Sequence, residues 1–131
     1  MALDKTRVSM LAIGIGCRSG VAADAIVALV RDTLARAALQ LGGAMLCTID
    51  AKADEAGLRL AAAKLDIRVV YLSQKALAAI ETPTRSQASL ARFGTGSVAE
   101  SAALAGAGPD ATLIVQRVAR DGVTCAVACA K

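Results

Sequence analysis

Apolar and polar positions along this chain change period repeatedly, and the changes divide it into alternating strands and helices. Arg7–Ile15 is an almost unbroken apolar run, which predicts a strand buried on both faces. Over Val21–Leu41 the residues Ile26, Leu29, Val30, Leu34, Ala37, Ala38 and Leu41 recur at helical spacing, and Gly42-Gly43 ends the pattern. Ala44–Ile49 is a second short strand. Asp50 is placed to cap a helix over Ala51–Leu65 whose first turn carries Asp54 and Glu55. Ile67–Leu72 is a third strand, rich in β-branched residues, and Ser73 caps a short helix through Ile80. Thr82–Ala91 is polar, contains Pro83, and reads as a loop with scope for movement. Ser97–Ala107 is a helix stopped by Gly108-Pro109. Ala111–Val118 and Val123–Ala130 are strands joined through Asp121-Gly122, a strong hairpin signal.

The order β-α-β-α-β-α-α-β-β predicts an α/β fold. The expected architecture is a three-layer α/β/α sandwich with a mixed, mostly parallel sheet and a C-terminal antiparallel hairpin. At 131 residues the chain, 1–131, is expected to form one domain with a real core. Its apolar fraction of 56% contains much alanine, so close packing without large side chains is expected.

Composition narrows the chemistry. Aromatics are confined to Tyr71 and Phe93, too few for the stacking platforms that single-stranded nucleic acids need. The net charge of +4 is modest and its basic residues are scattered, which fits a small acidic ligand better than a duplex. The absence of histidine removes the commonest metal ligand and general base. No metal is expected, and no cofactor. Cys17, Cys47, Cys125 and Cys129 form no CxxC pair. On a strand, Cys125 and Cys129 would lie roughly 13 Å apart, beyond disulfide reach. Reduced, mostly buried thiols point to the cytoplasm. Lys5, Arg7 and the run up to Cys17 superficially resemble a lipoprotein signal. Gly14, Ile15 and Gly16 make a poor cleavage site, however, and the run is too short to span a membrane.

Two glycine-rich turns carry the candidate site. Gly14-Ile15-Gly16-Cys17-Arg18-Ser19-Gly20 links a strand to a helix, where glycine admits a ligand close to the backbone and a helix start favours anions. It is one residue longer than the dinucleotide fingerprint, and a tight structural turn explains it about as well as a ligand loop. Arg18 could hold a carboxylate in a two-pronged bond. In the second turn, Gly94-Thr95-Gly96-Ser97-Val98-Ala99-Glu100, Ser97 and Glu100 fit a capping box without any ligand, whereas Gly94 and Gly96 remain candidates for backbone contact. Lys52, at the start of the Ala51–Leu65 helix, opposes the helix dipole, and a residue that breaks a local rule is a candidate for function. Thr124 fits an ordinary sheet position.

Thr48-Ile49-Asp50-Ala51-Lys52-Ala53-Asp54-Glu55 and Gly122-Val123-Thr124-Cys125-Ala126-Val127-Ala128 complete a set of four motifs with those two turns. In this order they closely resemble the CobE family, equivalent to the C-terminal domain of CbiG, in cobalamin biosynthesis. The resemblance spans nearly the whole chain. It implies a small α/β domain that handles corrin-ring intermediates, macrocycles bearing many carboxylates. Full-length CbiG proteins open a lactone on cobalt-precorrin-5A with loss of acetaldehyde and carry further N-terminal domains, so the stand-alone CobE type is expected here. The resemblance implies a precorrin ligand and other cobalamin-pathway enzymes as partners, with neither nucleic acid nor membrane. The candidate ligand-binding set is Gly14, Gly16, Cys17, Arg18, Lys52, Glu55, Gly94, Gly96, Ser97 and Glu100. The alternatives are a lactone hydrolase using Glu55 or Glu100 to activate water, and a dinucleotide-binding module.

Overall fold

The computed structural model describes residues 10–130. Five strands form one sheet in the order β3-β2-β1-β5-β4. They are β1 (Leu11–Cys17), β2 (Met45–Ile49), β3 (Arg68–Leu72), β4 (Thr112–Arg120) and β5 (Val123–Cys129). The first three are mutually parallel, β5 runs antiparallel to β1, and β4 returns antiparallel to β5. Four strands therefore point the same way, with β5 inserted against them. The predicted mixed α/β sheet and its C-terminal hairpin are present. The beginning of the predicted first strand, Arg7–Ser9, lies outside the described residues.

Helices cover both faces. Helices α1 (Ala23–Arg36) and α2 (Ala56–Leu65) follow the crossovers β1→β2→β3. Successive right-handed crossovers in one direction place their helices on one face. There Ile26, Leu29, Val30, Leu58 and Leu65 pack on Ile13, Ile15, Leu46 and Val127 in the larger core. The chain then crosses to the other face through α3 (Gln74–Ala78), α4 (Gln87–Phe93) and α5 (Val98–Ala107). This second interface consists of small residues. Ala99 and Ala103 of α5 meet Ala126 and Ala128 of β5, and Ala102 packs near Ala12. A Cβ on Gly14 would overlap the carbonyl oxygen of Ala99 and come within 2.7 Å of the Ala103 nitrogen. The alanine-rich composition thus serves a helix laid almost directly on the sheet backbone.

Several boundaries differ from the sequence pattern. Helix α1 stops at Arg36, five residues before Leu41. Ala38 adopts φ 56°, and the Leu39 and Ala38 amides donate to the Leu34 and Ala35 carbonyls at 2.9 and 3.1 Å. This is a Schellman closure with alanine at the position usually taken by glycine. The predicted helix Ala51–Leu65 is broken into a 3-10 turn, Asp50–Lys52, and α2, where Glu55 stands at the cap position without a side-chain cap bond. Asp50 therefore does not cap that helix, and Lys52 does not sit in its first turn. The predicted loop Thr82–Ala91 contains most of α4, started by Ser86, whose Oγ accepts from the Ser89 amide at 3.3 Å. Ser73 caps α3 as expected, accepting from the Ala76 amide at 3.1 Å.

Candidate functional site

The carboxyl end of β1 is where neighbouring strands change direction, β2 parallel on one side and β5 antiparallel on the other. In open α/β sheets ligands bind outside the carboxyl ends of the parallel strands. A cavity of about 490 Å³ opens there. Gly16, Cys17 and Arg18 form one wall, and the β4–β5 turn and Thr124 form another. Helix α4, with Ser97 that caps α5 and Val98 that begins it, completes the lining. The second glycine-rich segment thus starts its helix on the same edge as the first turn, a question the sequence left open.

The cavity is rich in arginine. Arg18, Arg92, Arg117 and Arg120 line it, against one acidic residue, Asp121. Arg18 lies across the hairpin turn. Its amide donates to the Gly122 carbonyl at 3.1 Å, and a Cβ on Gly122, which has φ 80°, would come within 2.5 Å of the Arg18 Nε. Glycine at 122 therefore serves both the turn and the place of Arg18. Arg92 projects over the Phe93 ring at 5.3 Å. Arg120 is partly engaged, bonding the Asp32 carboxylate at 3.4 Å and the Ala28 carbonyl at 3.4 Å. Sequence reasoning missed Arg92, Arg117 and Arg120. They come from α4 and β4, and no motif links them to the first turn.

The remaining candidates divide. Gly14 is buried and its bare Cα face is pressed against α5, so it admits a helix and not a ligand. Gly16 makes room for the Thr124 hydroxyl, which donates to the Gly16 carbonyl at 3.3 Å. Gly94 ends α4 at φ 74°, and Gly96 is buried against Thr82, Thr84 and Arg85. Neither lines the cavity. Ser97 does line it, while its Oγ caps α5 by accepting from the Glu100 amide at 3.1 Å.

Only half of the expected capping box forms, because Glu100 does not reach back to Ser97. Its carboxylate is fully buried and turned the other way. Oε1 accepts from the Thr84 amide at 3.0 Å and the Thr84 hydroxyl at 2.8 Å, and Oε2 from the Arg117 amide at 2.9 Å. The pairing of β4 with β5 shifts register between Val115 and Val118, and this bulge takes the Arg117 N–H out of the ladder. Glu100 receives it. One carboxylate thus ties the segment leading into α4 and the bulge carrying Arg117 to α5.

A second group lies beside the first turn. Glu55 accepts from the Gly20 amide at 2.9 Å, closing the β1–α1 turn from α2. Lys52 is only 6% exposed. Burial pushes the Cys17 thiol up; the Lys52 charge opposes that shift and the Glu55 charge adds to it, so both lie within electrostatic reach of Cys17. Deeper in the sheet, burial pushes Cys47 and Cys125 up to about 12, from the usual 9.0. Folding therefore holds these thiols neutral where the unfolded chain ionises them. Stability from this source is fully present below pH 9 and is lost as pH rises toward 12. Urea unfolding at pH 8 and pH 10.5 is expected to show lower stability at the higher pH. Replacing both cysteines by alanine is expected to flatten that dependence.

Among the described residues no group of three or more Cys, Asp or Glu side chains is arranged to hold a metal ion. No helix among them is long and apolar enough to cross a membrane.

Residues 11–128 match the protein-family model described as cobalamin synthesis G C-terminus. The chain belongs to that family. Protein CobE from a Sinorhizobium species is 33% identical over 121 residues, covering 90% of this chain and 79% of that protein. A cobalt-precorrin-5A hydrolase from Priestia megaterium is 34% identical over 112 residues; the match covers 85% of this chain but only 30% of the hydrolase. The crystal structure of CobE, a protein from the cobalamin (vitamin B12) biosynthetic pathway, superimposes with a TM-score of 0.88 at 36% identity. That superposition covers 94% of this chain and 92% of the CobE chain. This CobE/CbiG C-terminal family member is a cobalamin biosynthesis protein, and its fold matches that of CobE.

Proposed function

We propose that the arginine-lined cavity binds a carboxylate-rich corrin-ring intermediate, which the protein carries between enzymes or presents to one of them. The observation that carries this reading is four arginines lining one cavity at the carboxyl end of β1, with Asp121 the single acidic lining residue; among the described residues Arg18, Arg92 and Arg117 have no carboxylate partner, while the Arg120 guanidinium is held by Asp32 of α1. Planar guanidiniums pair with carboxylates through two parallel hydrogen bonds. Ring intermediates of the pathway offer such groups around their rim. The cavity is smaller than a whole macrocycle, so one edge of the ring enters it while the rest stays outside.

The hydrolase reading has less support. Glu100 is enclosed with both oxygens engaged, and Glu55 spends one oxygen on Gly20, so neither resembles a free general base over the cavity. The dinucleotide reading meets a direct obstacle. Glu55 occupies the Gly20 amide near the start of α1, where a pyrophosphate would have to approach, and its charge repels one.

Binding of cobyrinic acid, a corrin with free carboxylates, should exceed that of cyanocobalamin, whose side chains are amidated, and NAD should not bind. Arg18→Ala is expected to weaken cobyrinic acid binding by about 1.5–3 kcal/mol, tenfold or more, with an unchanged unfolding midpoint. Calorimetry showing equal affinity for the acid and the amide, or no effect of Arg18→Ala, would remove the basis for this function.

A further inference from the structure

Lys52 presents an unusual balance of charge. Long cationic side chains are almost never buried without a partner, because losing hydration must be offset by a counter-charge or hydrogen bonds. Lys52 is 6% exposed with its stem buried and its ammonium not fully enclosed, yet among the described residues no carboxylate lies within ion-pair distance of its Nζ and no acceptor takes its protons. Glu55, the nearby acid that also acts on Cys17, is turned to the Gly20 amide. Among the described residues it has no counter-ion.

The backbone beneath Lys52 is held firmly. The Ala53 amide donates to the Asp50 carbonyl at 3.0 Å, and the Glu55 amide to the Lys52 carbonyl at 3.0 Å. The Arg59 guanidinium of α2 reaches back to the Ala53 carbonyl at 2.6 Å. A side chain on such a turn is ordered before any ligand arrives, which lowers the entropic cost of using it. Lys52 also falls at the carboxyl end of β2, the neighbour of β1, on the sheet edge where the arginine cavity opens. Cys17 lines that cavity and is near enough to Lys52 for the ammonium charge to act on its thiol.

We propose that Lys52 is the base of a second anion subsite, separated from the arginine cavity by the Cys17–Arg18 rim, that receives one carboxylate of the ligand. This rests on the reading of the ligand as a polycarboxylate ring. An ammonium is a point charge without the fork of a guanidinium, so this subsite selects for charge at one position while the cavity orients carboxylates in a plane. A ligand that uses both places must carry acidic groups on a frame wide enough to straddle the rim. A macrocycle does so, and a small mono- or dicarboxylic acid does not.

Two titrations test this, comparing the wild type with Lys52→Met, which keeps the apolar stem and removes the charge. In the first, sodium sulfate at constant ionic strength is followed through backbone amide resonances. The Cys17 and Lys52 amides should shift saturably in the wild type and cease to respond in Lys52→Met, while the Arg92 and Arg117 amides still move. In the second, Lys52→Met should bind cobyrinic acid about tenfold more weakly, with a shallower salt dependence. Lys52→Arg, which retains the charge, should recover part of the affinity and guards against a variant that merely misfolds. The subsite is overturned if the Cys17 and Lys52 amides ignore sulfate in the wild type, or answer it equally in Lys52→Met. A sulfate response that depends on Lys52, without cobyrinic acid binding, would keep the subsite and reject the corrin ligand. Cobyrinic acid binding that depends on Arg18 but not on Lys52 would do the reverse.

Discussion

Gly14→Ala is expected to destabilise this protein by about 3 kcal/mol or more, at the upper end of what overpacking costs. A single methyl group would be placed inside the carbonyl of Ala99 and 2.7 Å from the nitrogen of Ala103. Both are backbone atoms of α5, so no side-chain rotation relieves the overlap; the whole helix must rise from the sheet. Lifting it would also open the contacts of Ala99 and Ala103 with Ala126 and Ala128. Gly16→Ala is the natural control. Its nearest obstacle is the Thr124 hydroxyl at 2.5 Å, a side chain that can turn away, and the next is Val98 Cβ at 3.6 Å. Urea unfolding should therefore rank Gly14→Ala well below Gly16→Ala, with the wild type highest. Equal stability of Gly14→Ala and the wild type would mean that α5 does not rest on β1 as described.

Glu100→Ala is the second large effect, about 3 kcal/mol, well above the loss of an ordinary helix cap. Three donors, the Thr84 amide, the Thr84 hydroxyl and the Arg117 amide, would lose their acceptor together in a part-buried place. Some of this would be relieved by water entering as the Thr82–Ser86 segment loosens. The effect is local as well as global. Amide exchange at Thr84 and Arg117 should accelerate far more than exchange in β1 or α1. Because those two residues anchor α4 and the β4 bulge, the guanidiniums of Arg92 and Arg117 should lose their fixed positions, and affinity for cobyrinic acid should fall too. Glu100→Gln should fall between, since its oxygen can satisfy one side while its NH2 group meets a donor on the other. If Thr84 and Arg117 exchange at wild-type rates in Glu100→Ala, the carboxylate does not hold these walls.

Much of the architecture was legible in the order of residues. Strands and helices alternate with distinct periods, Asp121-Gly122 closes the hairpin, and Ser73 and Ser97 cap the helices they precede, because these features depend on neighbours within a few positions. The boundaries that failed depend on distant packing. Gly57 in the first turn of α2 packs against the backbone of Val21, and Glu55 closes the Gly20 turn instead of lying in a helix that runs on from Asp50. The site followed the same division. Arg18, Lys52 and Ser97 stood out through the motifs that contain them, and the resemblance of four ordered segments to one family carried the pathway. What the sequence could not disclose was that Gly14 faces α5, that Glu100 turns from α5 to Thr84 and the β4 bulge, or that α4 and β4 bring Arg92, Arg117 and Arg120 to the rim beside Arg18. Local propensity and capping are short-range and can be read along the chain. The meeting of charges from β1, α4 and β4 is created only when helix and sheet close on each other, so it was decided by the tertiary structure.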